Sequence, residues 1–435
     1  MSALLDATPA EFASELVTRA IAAGADAAQV RASRRAYFEI DFSARTIDLL
    51  RSLEDDTAAI TVYRDGKRGT AAVNGRETDA VEAALAAALV AADAGVADPA
   101  NDVAAASSEP ATRHGPEASD RGAMIAAVEG FIDDLKQSYP LIRTRNSIYS
   151  FSDTETAFAN SRDLRQSQRR ASYGFGAMFS AKDGAKTTSF NYSGASAYAP
   201  FERLIGVGTV NRLIEETLRA FERAPVPEKF VGDVIITPDC LQSLLPMLAE
   251  ALSGGALFAG TSPYKERRGE AIASPLFSLL NRPRSPDFPD GSDFDGFGVP
   301  TRDLDVVKDG VLADFLVDYY MSRKLGMEQT AGAWNFVVPS GETSIADMIG
   351  ATKRGIILSR FSGGRPNSNL DFSGVAKNSF YVENGEVRHA LGETMVSGNF
   401  QALLSAIHAV SREAVNFGGA IYPFIAASGV TISAR

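Results

Sequence analysis

The sequence predicts an α+β fold in two parts: an N-terminal α/β region with helices on a mixed sheet, and a C-terminal region dominated by antiparallel sheet with flanking helices. Three observations carry that reading. Runs rich in β-branched and aromatic residues are numerous, and helical segments are dispersed among them. Asp65-Gly66, Asp183-Gly184, Asp309-Gly310 and Asn384-Gly385 are hairpin signals, and hairpins build antiparallel sheet. Strands do not alternate regularly with helices, as a doubly wound parallel sheet would require. A length of 435 residues suggests two to three domains. We divide the chain into an N-terminal α/β domain (residues 1–110), a central segment packing with it (111–227) and a C-terminal domain (228–435).

The elements follow in order. Thr8-Pro9-Ala10-Glu11 starts a helix: Thr8 caps, Pro9 suits the first helical position, and Glu11 completes a capping box. That helix runs to about Ala23 and stops at Gly24. From Ala28 to Val73 the pattern is that of strands, and 78–94 is an alanine-rich helix. Residues 95–120 are polar, rich in Pro, Ser and Ala, and aperiodic, so they read as a linker or domain boundary. A helix over 119–137 and several strands precede an amphipathic helix at 209–223, with Leu213, Ile214, Leu218 and Phe221 on one side. The second half opens with the buried strand GDVIIT and the helix CLQSLLPMLAEALSGG, which carries Pro246 in its middle. A loop covers 282–300, and helices are expected at 343–354 and 397–413.

Composition narrows the function classes. The formal net charge of −11 argues against a nucleic-acid surface as the main activity. A single cysteine excludes intrachain disulfides and fits a reducing compartment. The opening MSALLDATPAEFASE has neither a basic n-region nor an apolar h-region, and no apolar run reaches about 18 residues. The expectation is a soluble, cytoplasmic protein without a membrane span.

The motif search returns mainly absences. The three histidines, His114, His389 and His408, are far apart, so no H-E-x-x-H is present. His114 is expected to be solvated in the linker, His389 lies in a strand, and His408 in a helix. No Walker-type loop occurs. Gly174-Phe175-Gly176 and Gly206-Val207-Gly208 lack the third glycine of a dinucleotide fingerprint, and no lysine follows Gly363-Gly364-Arg365-Pro366. Ser262-Pro263-Tyr264-Lys265 matches S-x-x-K without its companion elements. Asp287, Asp290, Asp293 and Asp295 form an acidic loop. Its spacing breaks the calcium pattern at Gly291 and at Arg302, so a solvated loop is expected. Cys240 sits near a helix start, but Asp239 would raise its pKa and no histidine is near in sequence. It reads as a buried structural thiol.

Taken together, GADAAQV, GKRGTAAVNGRETDAVEAA and VADPAND in the N-terminal part, with SGGALFAGTSPYKERRGEAIAS, FDGFGVPTRDLDVVKDGVLADFLVDYYMSRKLG, PSGETSIADMIGATKRGIIL and GETMVSGNF in the C-terminal part, resemble the TldD/PmbA family, the modulators of DNA gyrase. The resemblance covers nearly the whole chain. It implies one of two branches. TldD-type members resemble zinc metalloproteases, with H-E-x-x-x-H on the helix after the strand read here as GDVIIT and a cysteine ligand near the C-terminus. In that pattern imidazoles and a thiolate bind zinc, while the glutamate handles the proton of the activated water. This sequence departs at every ligand: Pro246 and Ala251 stand at the histidine positions, Met247 at the glutamate position, and the C-terminal stretch has no cysteine.

The resemblance therefore implies the TldE/PmbA-like branch. The expected function is a non-catalytic subunit that pairs with a TldD-type metalloprotease and acts on peptides or unfolded polypeptide. Zinc is expected only in that partner, with no cofactor, metal or catalytic residue in this chain. The alternative is a homodimeric regulatory or binding protein of the gyrase-modulator type without peptidase activity. A third reading is an independent hydrolase using Cys240 or Ser262. Neither direct nucleic-acid nor membrane contact is expected.

Overall fold

The computed structural model describes residues 6–330, 332–363, 366–367 and 369–434. The first helix, α1 (Pro9–Ala22), begins as its sequence dictates: the Glu11 N–H donates to Thr8 Oγ1 at 3.3 Å, and the Thr8 N–H donates to Glu11 Oε2 at 2.7 Å. Each such cap stabilises a helix by about 1 kcal/mol. The strands β1 (Ala27–Phe42), β2 (Ile47–Arg64) and β3 (Lys67–Asn74) form an antiparallel meander. Asp65 and Gly66 turn β2 into β3 with φ of 52° and 70°, the left-handed pair that a two-residue hairpin of this twist requires. The alanine-rich helix α2 (Thr78–Ala94) lies so close to β3 that a Cβ on Gly69 would stand 2.0 Å from the Ala88 carbonyl oxygen.

After the short strand β4 (Thr112–His114) and helix α3 (Arg121–Ser138), the long strands β5 (Ile142–Asn160) and β6 (Arg165–Asp183) and the shorter β7 (Asn191–Ala197) extend the same sheet. The order is β3-β2-β1-β5-β6; β7 pairs antiparallel with β6, and β4 runs parallel to it at 168–170. Residues 1–110 and 111–227 thus share one sheet, mixed by virtue of β4. Because strand side chains alternate, the even residues of β1 (Val30, Phe38, Ile40) and the odd residues of β5 and β6 (Tyr149, Phe151, Tyr173, Phe175) all face the helices. Helix α4 (Val210–Arg219) joins this face through Leu213 and Ile214, with Leu218 and Phe221 partly buried beside them. The opposite face of the sheet meets the second half of the chain.

That half is built around β8 (Phe230–Ile236), followed by α5 (Pro238–Ala251), α6 (Gly254–Ala259), α7 (Tyr319–Leu325), α8 (Ile345–Ala351), the strand β9 (Arg354–Leu358), α9 (Phe400–Ser405), β10 (Ile407–Asn416) and β11 (Ile421–Ala434). β8 pairs antiparallel with β11 and parallel with β9, inside a larger sheet of mostly antiparallel pairs. The predicted α+β class and its two-part layout are what the structure shows.

Three expectations need correction. The helix expected over 397–413 ends at Ser405, and His408 lies exposed on strand β10. The stretch 95–120 is no free linker. Val103 and Ala104 are buried, the Asn160 amide donates to the Ala104 carbonyl at 2.9 Å, and Tyr319 of α7 donates to the Val103 carbonyl at 2.8 Å. Lys324 pairs with Asp98 at 2.7 Å, so the segment straps the two halves together. The acidic loop is solvated only in part: Asp287 and Asp290 are exposed, but the second half is not. Asp293 and Asp295 are 8% and 3% exposed, and Asp293 accepts from Arg170 at 2.8 Å, His114 at 2.9 Å and Thr112 at 2.6 Å. His114, expected in solvent, is therefore part of the junction between the halves.

Candidate functional site

Strand β8 delivers the chain to α5 at Thr237, whose hydroxyl accepts from the Cys240 N–H at 3.3 Å while Pro238 occupies the first turn. The helix buries Cys240, Leu241, Leu244, Leu245, Leu248 and Ala249 against the second-half core. Helical spacing puts Ser243, Pro246 and Glu250 on the opposite, exposed stripe, with Met247 and Ala251 at its edge. Pro246 has no N–H, so the Gln242 carbonyl receives no i+4 hydrogen bond.

The start of α5 is fixed from the first half of the chain. Asp239 accepts from Thr209 Oγ1 at 2.5 Å and from Arg212, which also reaches Glu216 at 2.6 Å. Burial pushes the Glu216 carboxyl above its ordinary range and Arg212 pulls it back only in part. Burial also disfavours the Arg212 charge, but Glu216 and Asp239 outweigh it and hold the guanidinium firmly protonated. A charged cluster from α4 thus anchors the helix that borders the cleft.

The exposed stripe of α5 forms one wall of a cleft of about 530 Å³. Pro246, Met247 and Ala251, the residues that the sequence resemblance sets opposite a zinc motif, all line it. Its far side is made by Ala256 and Ala259 of α6, Trp334 and Leu370. A second groove of about 320 Å³ lies between Gln242 of α5 and the free face of the first sheet, at Gly174, Gly176, Gly194 and Ser196. Gly194 is needed there, since a Cβ would approach the Phe175 carbonyl oxygen to 2.1 Å.

The donor set does not fit zinc. Pro246, Met247 and Ala251 offer no imidazole or carboxylate, and Glu250 is the one ionisable side chain lining the cleft among the described residues. Among the described residues no three His, Cys, Asp or Glu side chains converge as metal ligands would. The histidines are dispersed: His114 against Asp293, His389 beside the Tyr381 ring at 5.4 Å, and His408 on β10.

The two nucleophile candidates are also placed. Cys240 is 1% exposed, and burial pushes its thiol up to about 12, against a backbone hydrogen bond from Phe361 and with Asp239 adding to the rise. At neutral pH it is a packed thiol, not a thiolate. The Ser262 hydroxyl donates to the Ala251 carbonyl at 2.6 Å and accepts from the Tyr264 N–H at 3.2 Å, so it closes a loop behind α5. Neither is activated. Sequence reasoning passed over Glu250 and Trp334. The usable signals were a lone carboxylate on the polar stripe of an apolar helix and the only tryptophan of the chain.

With this geometry in hand, comparison with known proteins is informative. The model described as "PmbA/TldA metallopeptidase C-terminal domain" matches residues 229–434, and that of "PmbA/TldA metallopeptidase domain 1" matches 28–92. The metalloprotease PmbA homolog of Haemophilus influenzae is 24% identical over 421 residues, covering 92% of this chain and 90% of the relative. Among solved structures, TldE from Thermococcus kodakarensis superposes with a TM-score of 0.82 at 21% identity, covering 97% of this chain and 99% of that one. A Bacteroides thetaiotaomicron protein, named as a candidate modulator of DNA gyrase, gives 0.87 at 20% identity with 98% of each chain covered. These likenesses agree with the residue-level reading of both halves, and the chain belongs to the PmbA/TldD family.

Proposed function

We propose that this chain is the non-catalytic, TldE-like subunit of a heteromeric TldD/TldE zinc metallopeptidase that acts on peptides or unfolded polypeptide in the cytoplasm. The observation that carries the reading is the cleft along α5. Pro246, Met247 and Ala251, which the family resemblance sets opposite the ligands and the proton-handling carboxylate of a metallopeptidase helix, line it and supply neither. On this reading zinc belongs to a TldD-type partner. The present chain contributes a wall of the peptide chamber, with α5 held in place by Asp239, Arg212 and Glu216.

The test is co-purification with a TldD-type subunit bearing an intact H-E-x-x-x-H. Light scattering should give a heteromer, metal analysis should assign zinc to the partner, and peptide cleavage should require both chains. Stoichiometric zinc and peptide cleavage by the purified chain alone would refute the proposal. A homodimer indifferent to any TldD-type subunit would favour the regulatory reading, for which the net charge of −11 points to protein rather than DNA contacts.

A further inference from the structure

We propose that the cleft on the exposed face of α5 is a specificity pocket for a basic side chain of an extended polypeptide, with Glu250 as its counter-charge and Trp334 as the ring against which the cation packs. This rests on the reading of the chain as a peptide-handling subunit and adds which peptides it selects.

The charge inventory carries the inference. Among the described residues, Glu250 is the one ionisable side chain that lines the cleft, and it has neither an ion-pair nor a hydrogen-bond partner there. A single carboxylate is a poor metal site and a sufficient partner for one ammonium or guanidinium group. Trp334 lines the same cleft, and the residue is 42% exposed. Its backbone is held by Asn281, which donates to the Ala333 carbonyl and accepts from the Asn335 N–H, both at 2.7 Å. An exposed indole attracts cations through its negative face.

The remaining chemistry fits a main chain beside that cation. Ala251, Gly255, Ala256 and Ala259 leave a shallow floor that a backbone can approach, and about 530 Å³ admits more than one side chain. Gln242, whose carbonyl is denied its helical partner by Pro246, lines the second groove, one residue before Ser243 of the cleft wall. Acidic peptides meet Glu250 and an overall charge of −11, and both repel them.

Trp334, as the sole tryptophan, is its own reporter. The probe is an acetylated, amidated hexapeptide of leucine and serine with arginine, citrulline or glutamate at its centre, titrated into the isolated chain. Acetylation leaves the arginine side chain as the only cation, so capture of a free peptide amino terminus is excluded from the signal. The arginine peptide should change the emission saturably, and the citrulline and glutamate peptides should bind at least about tenfold more weakly. Glu250→Gln should bring the arginine peptide down to the citrulline affinity. Trp334→Phe should abolish the emission change and weaken calorimetric binding about two- to fivefold. Equal affinity for the arginine and glutamate peptides, no binding of any peptide, or an arginine affinity unmoved by Glu250→Gln would overturn the proposal. A chain that selects arginine but forms no heteromer refutes only the subunit assignment; a heteromer without selection refutes only the pocket.

Discussion

Replacing Asp295 by asparagine isolates the energetic cost of one buried charge at the junction of the two halves. Asp295 is 3% exposed, and its oxygens accept from the Phe297 N–H at 2.8 Å, the Val299 N–H at 3.0 Å and the Gln329 amide at 2.9 Å. Burial pushes its carboxyl up to about 6, the two backbone donors and Arg31 opposing the rise and Asp318 adding to it. A carboxylate with a raised folded-state pKa holds its proton longer in the native than in the unfolded chain. Its contribution to stability is therefore greatest below the ordinary value of 3.8 and falls as pH rises through about 6. The span from 3.8 to about 6 corresponds to about 3 kcal/mol, an upper bound at neutral pH. Asparagine keeps the acceptor for Phe297 and Val299, and the Gln329 amide can turn its oxygen toward the new NH₂. Urea titrations of wild type and Asp295→Asn at half-unit steps from pH 3.5 to 8 should give a difference in stability that grows in the variant's favour from about pH 4 to 6 and is flat above. A pH-independent difference, or a variant less stable than wild type at pH 7, would refute the reasoning.

Other outcomes follow from the same structure. Asp293, held below the ordinary carboxylate range because Thr112, Arg170 and His114 outweigh its burial, should behave oppositely: Asp293→Ala should cost about 3–5 kcal/mol at pH 7 by stranding Arg170, with the loss shrinking as pH falls through the native carboxyl's titration. The Cys240 thiol should resist an aromatic disulfide reagent in the native chain and react at once in urea, since burial holds it up at about 12. Pro246→Ala should raise thermal stability, by about 1–3 kcal/mol, because an exposed mid-helix proline forfeits a backbone hydrogen bond. Gly69→Ala should lower it by about 2 kcal/mol or more, because the methyl meets the backbone of α2 at 2.0 Å; an unchanged melting temperature would show that α2 can move away.

Local chemistry was the legible part of the fold. The Thr8 cap, the Asp65-Gly66 turn and the buried stripe of α5 depend on neighbours within a few residues, and each is present as read. The error at 397–413 has a physical cause. Leu403, Leu404, Ile407 and Val410 are spaced as on a helix, but two bulges, between Ile407 and Ala409 and between Val410 and Ala414, shift the register of β10 against β11. A bulged strand does not keep a period of two, so it can imitate a period near 3.6. The second half of the acidic loop was misread because its partners are distant: Arg170 lies 123 residues from Asp293, and His114 lies 179 residues away. Polar residues without local partners look solvated whether or not a remote arginine waits for them. The candidate site was half legible: Pro246, Met247 and Ala251 were placed correctly on the helix, but Trp334 enters the cleft from a different part of the chain.

The strap over 95–120 bears on the order in which the molecule is made. The first sheet is complete once Ala197 has been synthesised, and α3 returns the chain to that sheet on the far side of the strap. The strap's anchors to the second half arrive much later than those to the first, such as Asn160 on the Ala104 carbonyl: Tyr319, Tyr320 and Lys324 contact Val103 and Asp98 across separations of 216, 222 and 226 residues. A ribosome that has released the whole first sheet thus leaves its strap fastened on one side only for more than a hundred further residues, while Val103 and Asp98 lack their partners on α7. Contacts of such sequence separation form late. In the nascent chain, closure of the two halves waits on α7 rather than on the linker that joins them.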